Sequence, residues 1–416
     1  MKTVLLRLSG FTILPLLSLV TPLLLLPVIS GFVGGQGVSS VMTGQAIGTF
    51  ATTVIMWGWN VDGPVAIART EHLQERSLIY LSSIRTRLTL MAAVIPITIV
   101  VTGLAARAEF RSEAISMALA SAFIGMSPAW FCIGLGQPRL LAIYDTIPRF
   151  LATMMSIPLL LWTSQLWTYT CLLGVATAIS LCVFHRKYSP AGNWFPSNFR
   201  RTFKEIRSQT DTAGINVANS SYAFTAVPIA TATTTAAASG SLATADTLYR
   251  FGLFSVISLG NALQAWVLER NAPNSRHRQL LAMYSHFLLG VLGAVILTLL
   301  GPAVSEIVFA GQVRADRVIC FYYGIAFAFI SASQPLVRNL LIPAGKSRLV
   351  LTGTVAAAAV GISGMIAAGV TGHTEGIALS MAASEFVLFI ALFAPAIRLL
   401  KGEYPTKNSP STTTEP

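Results

Sequence analysis

The chain has 416 residues, of which 54% are hydrophobic and only 11% are charged, and its formal net charge is +12 at pH 7. An ordinary water-soluble domain is about one quarter charged, so this composition excludes one. Nucleic-acid binding has almost no support, because the positive charge follows a membrane topology.

About twelve stretches are long and apolar enough to cross a bilayer, which takes roughly 20 residues for a helix. They are too long and too evenly apolar for barrel strands, and helices satisfy their own backbone hydrogen bonds in lipid. The predicted fold class is therefore an all-α integral membrane protein. In chain order the predicted spans cover residues 8–29, 39–59, 88–106, 114–135, 146–164, 166–184, 212–237, 245–267, 280–300, 317–341, 349–370 and 376–398.

Lys and Arg are concentrated in every second joint between these spans. The basic joint before the third span, for example, contains Arg69, Arg76, Arg85 and Arg87, whereas the other set of loops holds only Arg107, Arg111, Arg314 and Arg317. By the positive-inside rule, both termini are predicted to be cytoplasmic and the protein to lie in the cell membrane. The basic face also favours contact with anionic membrane lipid.

The longest joint, residues 185–211, divides the spans into two sets of six. Shifting the sequence by 209 residues aligns Gly136-Gln137-Pro138-Arg139-Leu140 with Gly345-Lys346-Ser347-Arg348-Leu349, and Trp57 with Trp266. An even number of helices in each set predicts two parallel six-helix lobes with a central site between them. We predict an N-terminal lobe at 1–184, a basic cytoplasmic connector at 185–211, a C-terminal lobe at 212–400 and a disordered cytoplasmic tail at 401–416.

Ionisable residues within spans are costly and are therefore candidates for function. Asp246 and Arg250 lie one helical turn apart on the eighth span, so their side chains can pair. Two interpretations remain open. The pair either neutralises itself near the outer water boundary, or it lies in a central cavity where Arg250 meets an anionic group.

Three further ionisable residues have similar alternatives. Glu385 has no basic neighbour in its span, so it is either a protonated core carboxylic acid or a coupling site for H⁺ or Na⁺. Arg338 and Arg149 lie close to span ends, where a long side chain can reach the interface. Both are also candidates for a basic cavity.

The stretch that follows the first span is rich in glycine, from Gly31 to Gly48. So many small residues favour either tight helix packing at the outer mouth or a gate, with Gln45 facing the lumen. The four cysteines all lie in predicted spans without paired spacing, so we expect no disulfide framework, no metal and no cofactor.

Two stretches resemble a known family: Gly44-Gln45-Ala46-Ile47-Gly48, followed by Trp57-Gly58-Trp59-Asn60-Val61-Asp62-Gly63-Pro64, and Ala245-Asp246-Thr247-Leu248-Tyr249-Arg250. They resemble polysaccharide-biosynthesis flippases for lipid-linked oligosaccharides of the O-antigen and capsule type, most of all an actinobacterial form. The resemblance implies the MATE-like fold of the wider multidrug and oligosaccharidyl-lipid exporter superfamily, with two lobes that alternate between inward-open and outward-open forms.

The resemblance also implies a basic lumen that receives the sugar and pyrophosphate head while the polyprenyl tail stays in lipid. Arg250 is the best match to such a residue, and Arg149 and Arg338 are weaker ones. As a hypothesis, the central cavity contains all of the following: Gln45, Asn60, Arg149, Asp246, Arg250, Gln264 and Arg338.

The predicted function is a flippase for a polyprenyl-pyrophosphate-linked oligosaccharide, with polymerase or assembly proteins as further partners. The alternative within transport is a cation-coupled multidrug exporter, which favours acidic lumen residues. An integral-membrane sugar transferase or polymerase would need a sizeable outer loop, and the predicted outer loops are short. An enzyme is therefore the weaker class, and a non-transporting scaffold is disfavoured by polar residues within the spans of both halves.

Overall fold

The computed structural model describes residues 2–189, 199–267 and 275–401. Every regular element in these ranges is a helix. The sixteen α-helices are α1 Lys2–Met56, α2 Asp62–Arg69, α3 Leu73–Ala105, α4 Arg111–Phe123, α5 Ala129–Gly134, α6 Pro138–Leu141, α7 Ile147–Thr163, α8 Trp167–Tyr188, α9 Phe199–Ser208, α10 Thr210–Ala223, α11 Ala226–Thr233, α12 Ala236–Val267, α13 Ser275–Val308, α14 Arg317–Pro335, α15 Ser347–Val370 and α16 Thr374–Leu400. This confirms the all-α class.

Nine helical stretches in the described ranges are long and apolar enough to cross a membrane. One of them covers the predicted second span and the end of the first. The predicted spans 212–237 and 245–267 are not among the nine. The first is split into the short helices α10 and α11, and α12 carries Asp246, Arg250 and many small polar residues. The count of twelve spans and the cytoplasmic placement of both termini stay predictions.

Gly34 divides α1 into two helices. Its backbone has φ 64° and ψ 175°, a conformation that glycine adopts without steric cost. Leu26 and Gln45, on the two sides of Gly34, line the same cavity, so the two segments lie side by side. This position falls in the predicted joint between the first and second spans.

The third predicted span begins too late, and the placement of Arg87 in the joint before it is wrong. The helix α3 begins at Leu73 rather than near residue 88, and Arg87 lies inside it with no exposed surface. The basic residues 76–87 lower the local hydropathy without ending the helix. Arg87 instead donates from Nε and Nη1 to carbonyl groups within the protein.

The backbone has the same conformation at one pair of positions aligned by the internal repeat. Gly136 and Gly345 both have positive φ, at 64° and 70°. In each case a helix begins two residues later, α6 at Pro138 and α15 at Ser347. The shared turn agrees with the alignment of the two stretches made from the sequence.

Helices on the two sides of the 185–211 segment meet along α1. Thr43 Oγ1 donates to Thr231 Oγ1 at 2.9 Å. Within the segment itself, the carbonyl of Ile206 accepts from Trp57 Nε1 at 2.9 Å. The largest cluster of buried apolar side chains also joins α1 to α12, α14 and α16. Residues 190–198 of the predicted connector and 402–416 of the predicted tail lie outside the described residues, and the lobe boundaries stay predictions.

Two glycines of α1 pack directly against the backbone of α4. A Cβ atom added at Gly44 would lie 2.0 Å from the carbonyl oxygen of Ala114, and one at Gly48 would lie 2.2 Å from that of Ala118. Residues four apart on both helices thus form a close contact that only small side chains allow. The tight packing predicted for this glycine-rich segment is present, and its role as a gate stays a prediction.

We expect Gly44→Ala to destabilise the protein, because the added methyl group forces α1 away from α4. Overpacking of this kind costs about 1–3 kcal/mol. Thermal unfolding of the purified protein in detergent measures the effect. The control is Gly31→Ala on the same helix, where no atom lies within 4 Å of the added Cβ. Equal melting temperatures for the two variants would contradict the close contact.

Candidate functional site: a polar cavity between α1 and α12

A cavity of about 320 Å³ lies between the two segments of α1, the joint between α10 and α11, and α12. Its polar side chains come from Gln45, Thr49, Asp246, Thr247 and Arg250. The remaining wall is apolar and consists of Leu26, Met42, Ala46, Phe224, Val227, Phe251, Leu253, Phe254 and Ile257. A mostly apolar cavity with a few convergent polar groups is the usual form of a small-molecule site.

The Asp246–Arg250 pair forms as predicted, and it lies at this cavity. Arg250 Nε donates to Asp246 Oδ2 at 2.6 Å, and Arg250 Nη2 donates to Oδ1 at 3.2 Å. The Asp246 side chain is 5% exposed and that of Arg250 is 25% exposed. The carboxylate is therefore enclosed, and the guanidinium supplies the charged surface that a ligand can reach.

A break in the helix before α12 helps to hold Arg250. Residues 224 and 225 interrupt α10 and α11, and Pro228 has no N–H to offer the carbonyl four residues earlier. Arg250 Nη2 donates to the carbonyl of Ala223 at the end of α10. Its Cζ also lies 4.2 Å from the centre of the Phe224 ring, a favourable cation–π distance. Arg250 is thus fixed on three sides.

Of the other predicted cavity residues, only Gln45 lines this cavity. Asn60 accepts a hydrogen bond from Asn216 Nδ2 at 3.3 Å, in an exposed contact between α10 and the turn that follows α1. Arg149 pairs with Asp145, which also accepts from Ser127 Oγ, and these residues line a separate pocket of only about 10 Å³. The structure therefore does not bring Asn60 or Arg149 to Arg250.

Gln264 and Arg338 form a second polar cluster farther along α12. Arg338 Nη2 donates to Gln264 Oε1 at 2.7 Å and to Asn261 Oδ1 at 2.8 Å. The sequence analysis missed Asn261. Asn261 lies eleven residues after Arg250, which is about three helical turns, so both residues lie on the same face of α12. This spacing could have identified Asn261 from the sequence.

Glu385 lies beside the largest cluster of buried apolar side chains, and it is 1% exposed. Its Oε1 accepts a hydrogen bond from Tyr222 Oη at 3.3 Å, and its Oε2 has no hydrogen-bond partner within the described residues. Tyr222 Oη also donates to Oδ1 of Asn219, one turn earlier on α10 and exposed.

A larger cavity of about 770 Å³ lies where α14 and α16 begin. Its charged residues are Arg314, Asp316, Arg317, His373 and Glu375. None of the predicted site residues lines it. No group of three or more His, Cys, Asp and Glu side chains suited to a metal ion occurs in the described part of the chain.

Comparisons with solved structures identify the architecture. An inward-facing multidrug resistance MATE family transporter of the MOP superfamily superposes with a TM-score of 0.66 at 13% identity, over 96% of this chain and 98% of that one. A MATE protein in complex with MaL6 gives a TM-score of 0.50 at 12% identity, over 95% of this chain and 94% of that one. The chain has the MATE fold. No family model and no curated protein matches the sequence.

The structural match confirms the MATE-like fold that the sequence resemblance implied. At 12–13% identity the likeness extends to the fold alone. Together with the nine apolar helical stretches, it indicates a multi-pass membrane protein.

Proposed function

We propose that this protein moves a lipid-linked oligosaccharide with an anionic head group from the inner to the outer leaflet of the cell membrane by alternating access. The proposal assigns the head group to the cavity at Arg250 and the hydrocarbon chain to an adjacent groove. It involves no covalent step, so the protein acts as a transporter and not as an enzyme.

Phe251 lines both the polar cavity and a second, apolar groove, and this juxtaposition carries the proposal. The groove has a volume of about 420 Å³ and lies between α12 and α13, and Leu23 and Phe327 also line it. Its surface is open, since Leu292 and Leu300 are 53% and 54% exposed. A substrate with a charged head and a hydrocarbon chain fits two adjoining sites of opposite polarity better than a compact drug does.

The membrane potential can drive such a movement. A head group with two negative charges gains roughly 4–5 kcal/mol when it moves outward at 100 mV, inside negative. That free energy corresponds to about a 10³-fold bias in the distribution between leaflets. The proposed flippase therefore needs no ATP. In agreement, Gly345-Lys346-Ser347 does not complete a P-loop motif, because the first glycine of that motif is replaced by Leu340.

We further propose that Glu385 couples transport to a cation, with a proton as the simplest occupant. An ionised carboxylate without a cationic partner is costly at membrane depth, so a proton or a metal cation must accompany it. Tyr222 Oη has one proton but two acceptors, Asn219 and Glu385. Both contacts are satisfied when Glu385 carries a proton and donates it to Tyr222 Oη.

The second candidate is a multidrug exporter, which is favoured by two observations. A structural neighbour is described as a multidrug resistance transporter, and most of the cavity wall here is apolar. Such a protein would move a fluorescent organic cation, and it would not require a hydrocarbon chain on its substrate.

The test reconstitutes the full chain in liposomes with a fluorescent polyprenyl-pyrophosphate oligosaccharide. We expect the wild type to move the label between leaflets and Arg250→Ala to slow this movement at least tenfold, about 1.4 kcal/mol. The physical reason is that removing Arg250 leaves the Asp246 carboxylate unpaired in the cavity, where it repels an anion.

Arg149→Ala is the matched comparison. It also breaks a pair four residues apart, with side-chain exposures of 27% and 4%, but away from the cavity. Equal slowing in both variants would assign the effect to folding rather than to the cavity. Uptake of the organic cation with no movement of the lipid would replace the flippase by the multidrug exporter.

A further inference from the structure

The side chain of Arg338 is built into a defined position near the predicted cytoplasmic end of α12. It belongs to a π-helical turn, Leu336–Leu341, that follows Pro335, and such turns are frequent at functional sites. Asn261 and Gln264 both accept from its Nη2 atom. A Cβ atom added at Gly260 would lie 2.9 Å from Arg338 Nη1, so the guanidinium lies directly against α12 at this glycine.

Arg338 differs from the two arginines that pair along their own helices. Arg250 is compensated by Asp246 and Arg149 by Asp145. The partners of Arg338 in the described part of the chain are two side-chain amides, which are neutral. Among the described residues, no carboxylate pairs with this positive charge.

The cluster at Arg338 continues the cavity-lining face of α12. Asn261 follows Arg250 by three helical turns, or about 16 Å. Phe254 and Ile257 lie between them on this face and line the cavity. They are 38% and 48% exposed, and Asn261 is exposed as well. An anion held at Arg338 thus has an open path along one helix face to Arg250.

His286 adds an unpartnered polar atom beside the guanidinium. It is 1% exposed, and its Nδ1 has no hydrogen-bond partner among the described residues. The same added Cβ at Gly260 would lie 3.9 Å from His286 Cε1, so the imidazole and the guanidinium approach the helix at one point. Buried polar atoms usually have a partner, and a ligand oxygen can supply one here.

We propose that Arg338 forms a second anion subsite, which binds a phosphate or pyrophosphate group before it enters the central cavity. This inference rests on the proposed function, because it treats the anion as the substrate's head group. A guanidinium N–H donates a strong, charge-assisted hydrogen bond to a phosphate oxygen. Nη1 and Nε, which donate to no atom in the described residues, are the available donors. Asn261 and Gln264 are positioning residues.

The test measures binding rather than transport, on the full-length protein in nanodiscs of uncharged lipid. Farnesyl pyrophosphate is the probe, and farnesol is the uncharged reference. We expect Arg338→Gln to weaken pyrophosphate binding by roughly 10- to 100-fold, the range for losing hydrogen bonds to a charged group. Arg348→Gln, an exposed arginine on α15, is the control. Wild-type affinity in a folded Arg338→Gln variant would overturn the subsite.

Further arms separate the subsite from folding, from phospholipid binding and from the proposed function. Arg338→Lys keeps the charge without the forked donors, and intermediate affinity with an unchanged melting temperature would support phosphate recognition. Displacement of the probe by equimolar phosphatidylglycerol would overturn the assignment to substrate and give the site to a membrane phospholipid. The wild type could also bind the probe, with binding lost in Arg338→Gln, and yet flip no lipid-linked oligosaccharide. That result would support the subsite and contradict the proposed function.

Discussion

Replacing Arg87 by Met is expected to destabilise this protein more than any substitution of a solvent-facing arginine. The side chain is completely buried in the N-terminal half. Its Nη1 donates to the carbonyls of Gly125 and Ser127, at 3.1 and 2.9 Å. Its Nε reaches the carbonyl of Ser83 at 3.4 Å. Methionine fills much of the same volume but donates no hydrogen bond.

The two carbonyls depend on Arg87 because the helix is broken around Pro128. A 3₁₀ turn at Ile124–Met126 separates α4 from α5. The amides that would pair with these carbonyls bond elsewhere: Ala129 N donates to Ser127 Oγ, and Phe131 N donates to the carbonyl of Pro128, both at 3.0 Å. A buried acceptor left without a partner costs about 1–3 kcal/mol, so two cost about 2–6 kcal/mol.

That loss is a large share of the 5–15 kcal/mol by which a typical protein is stable. Thermal unfolding in detergent measures this loss of stability. The control is Arg139→Met, at an exposed position. Arg87→Lys retains the charge with fewer directed donors, so its melting temperature is expected between those of the wild type and Arg87→Met. A melting temperature for Arg87→Met equal to that of the control would show that the carbonyls find other partners.

Arg87 also shows which part of the fold the sequence could not supply. Counting Lys and Arg by their position between apolar stretches treats each charge as solvated, and it cannot recognise a cation that bonds inside the protein. The signal that was present is Pro128 in the predicted span 114–135, since a proline there breaks a helix and leaves carbonyl groups to be satisfied. Which donor satisfies them depends on the packing of α3, which is a tertiary property.

The candidate site likewise contains some contacts that the sequence predicts and others that it does not. The Asp246–Arg250 pair could be predicted because both residues lie on one helix and their spacing fixes the contact. The bonds from Arg338 to Asn261 and Gln264, and from Tyr222 to Glu385, join different helices. No local pattern determines such pairs. Arg149 and Asn60 were grouped with Arg250 through the family resemblance, and the structure places them away from its cavity.

Glu385→Gln is expected to remove the dependence of transport on an imposed proton gradient while the protein stays folded. Glutamine has nearly the same shape, keeps a carbonyl oxygen for Tyr222 Oη, and cannot gain or lose a proton. If Glu385 couples the gradient to substrate movement, the lost coupling free energy is about 1–3 kcal/mol, a 5- to 150-fold change in gradient-driven transport. The measurement is lipid-linked oligosaccharide movement in liposomes with and without a pH step, repeated with a sodium gradient.

The matched control is Glu375→Gln, in the first turn of the same helix α16 and exposed. Tyr222→Phe provides a second arm, because it removes the hydroxyl between exposed Asn219 and buried Glu385 and leaves the ring in place. We expect it to slow the response to the pH step without changing transport in the absence of a gradient. If Glu385→Gln responds to the pH step like the wild type, Glu385 has a structural role only. If the variant loses only the response to the sodium gradient, sodium is the coupled ion.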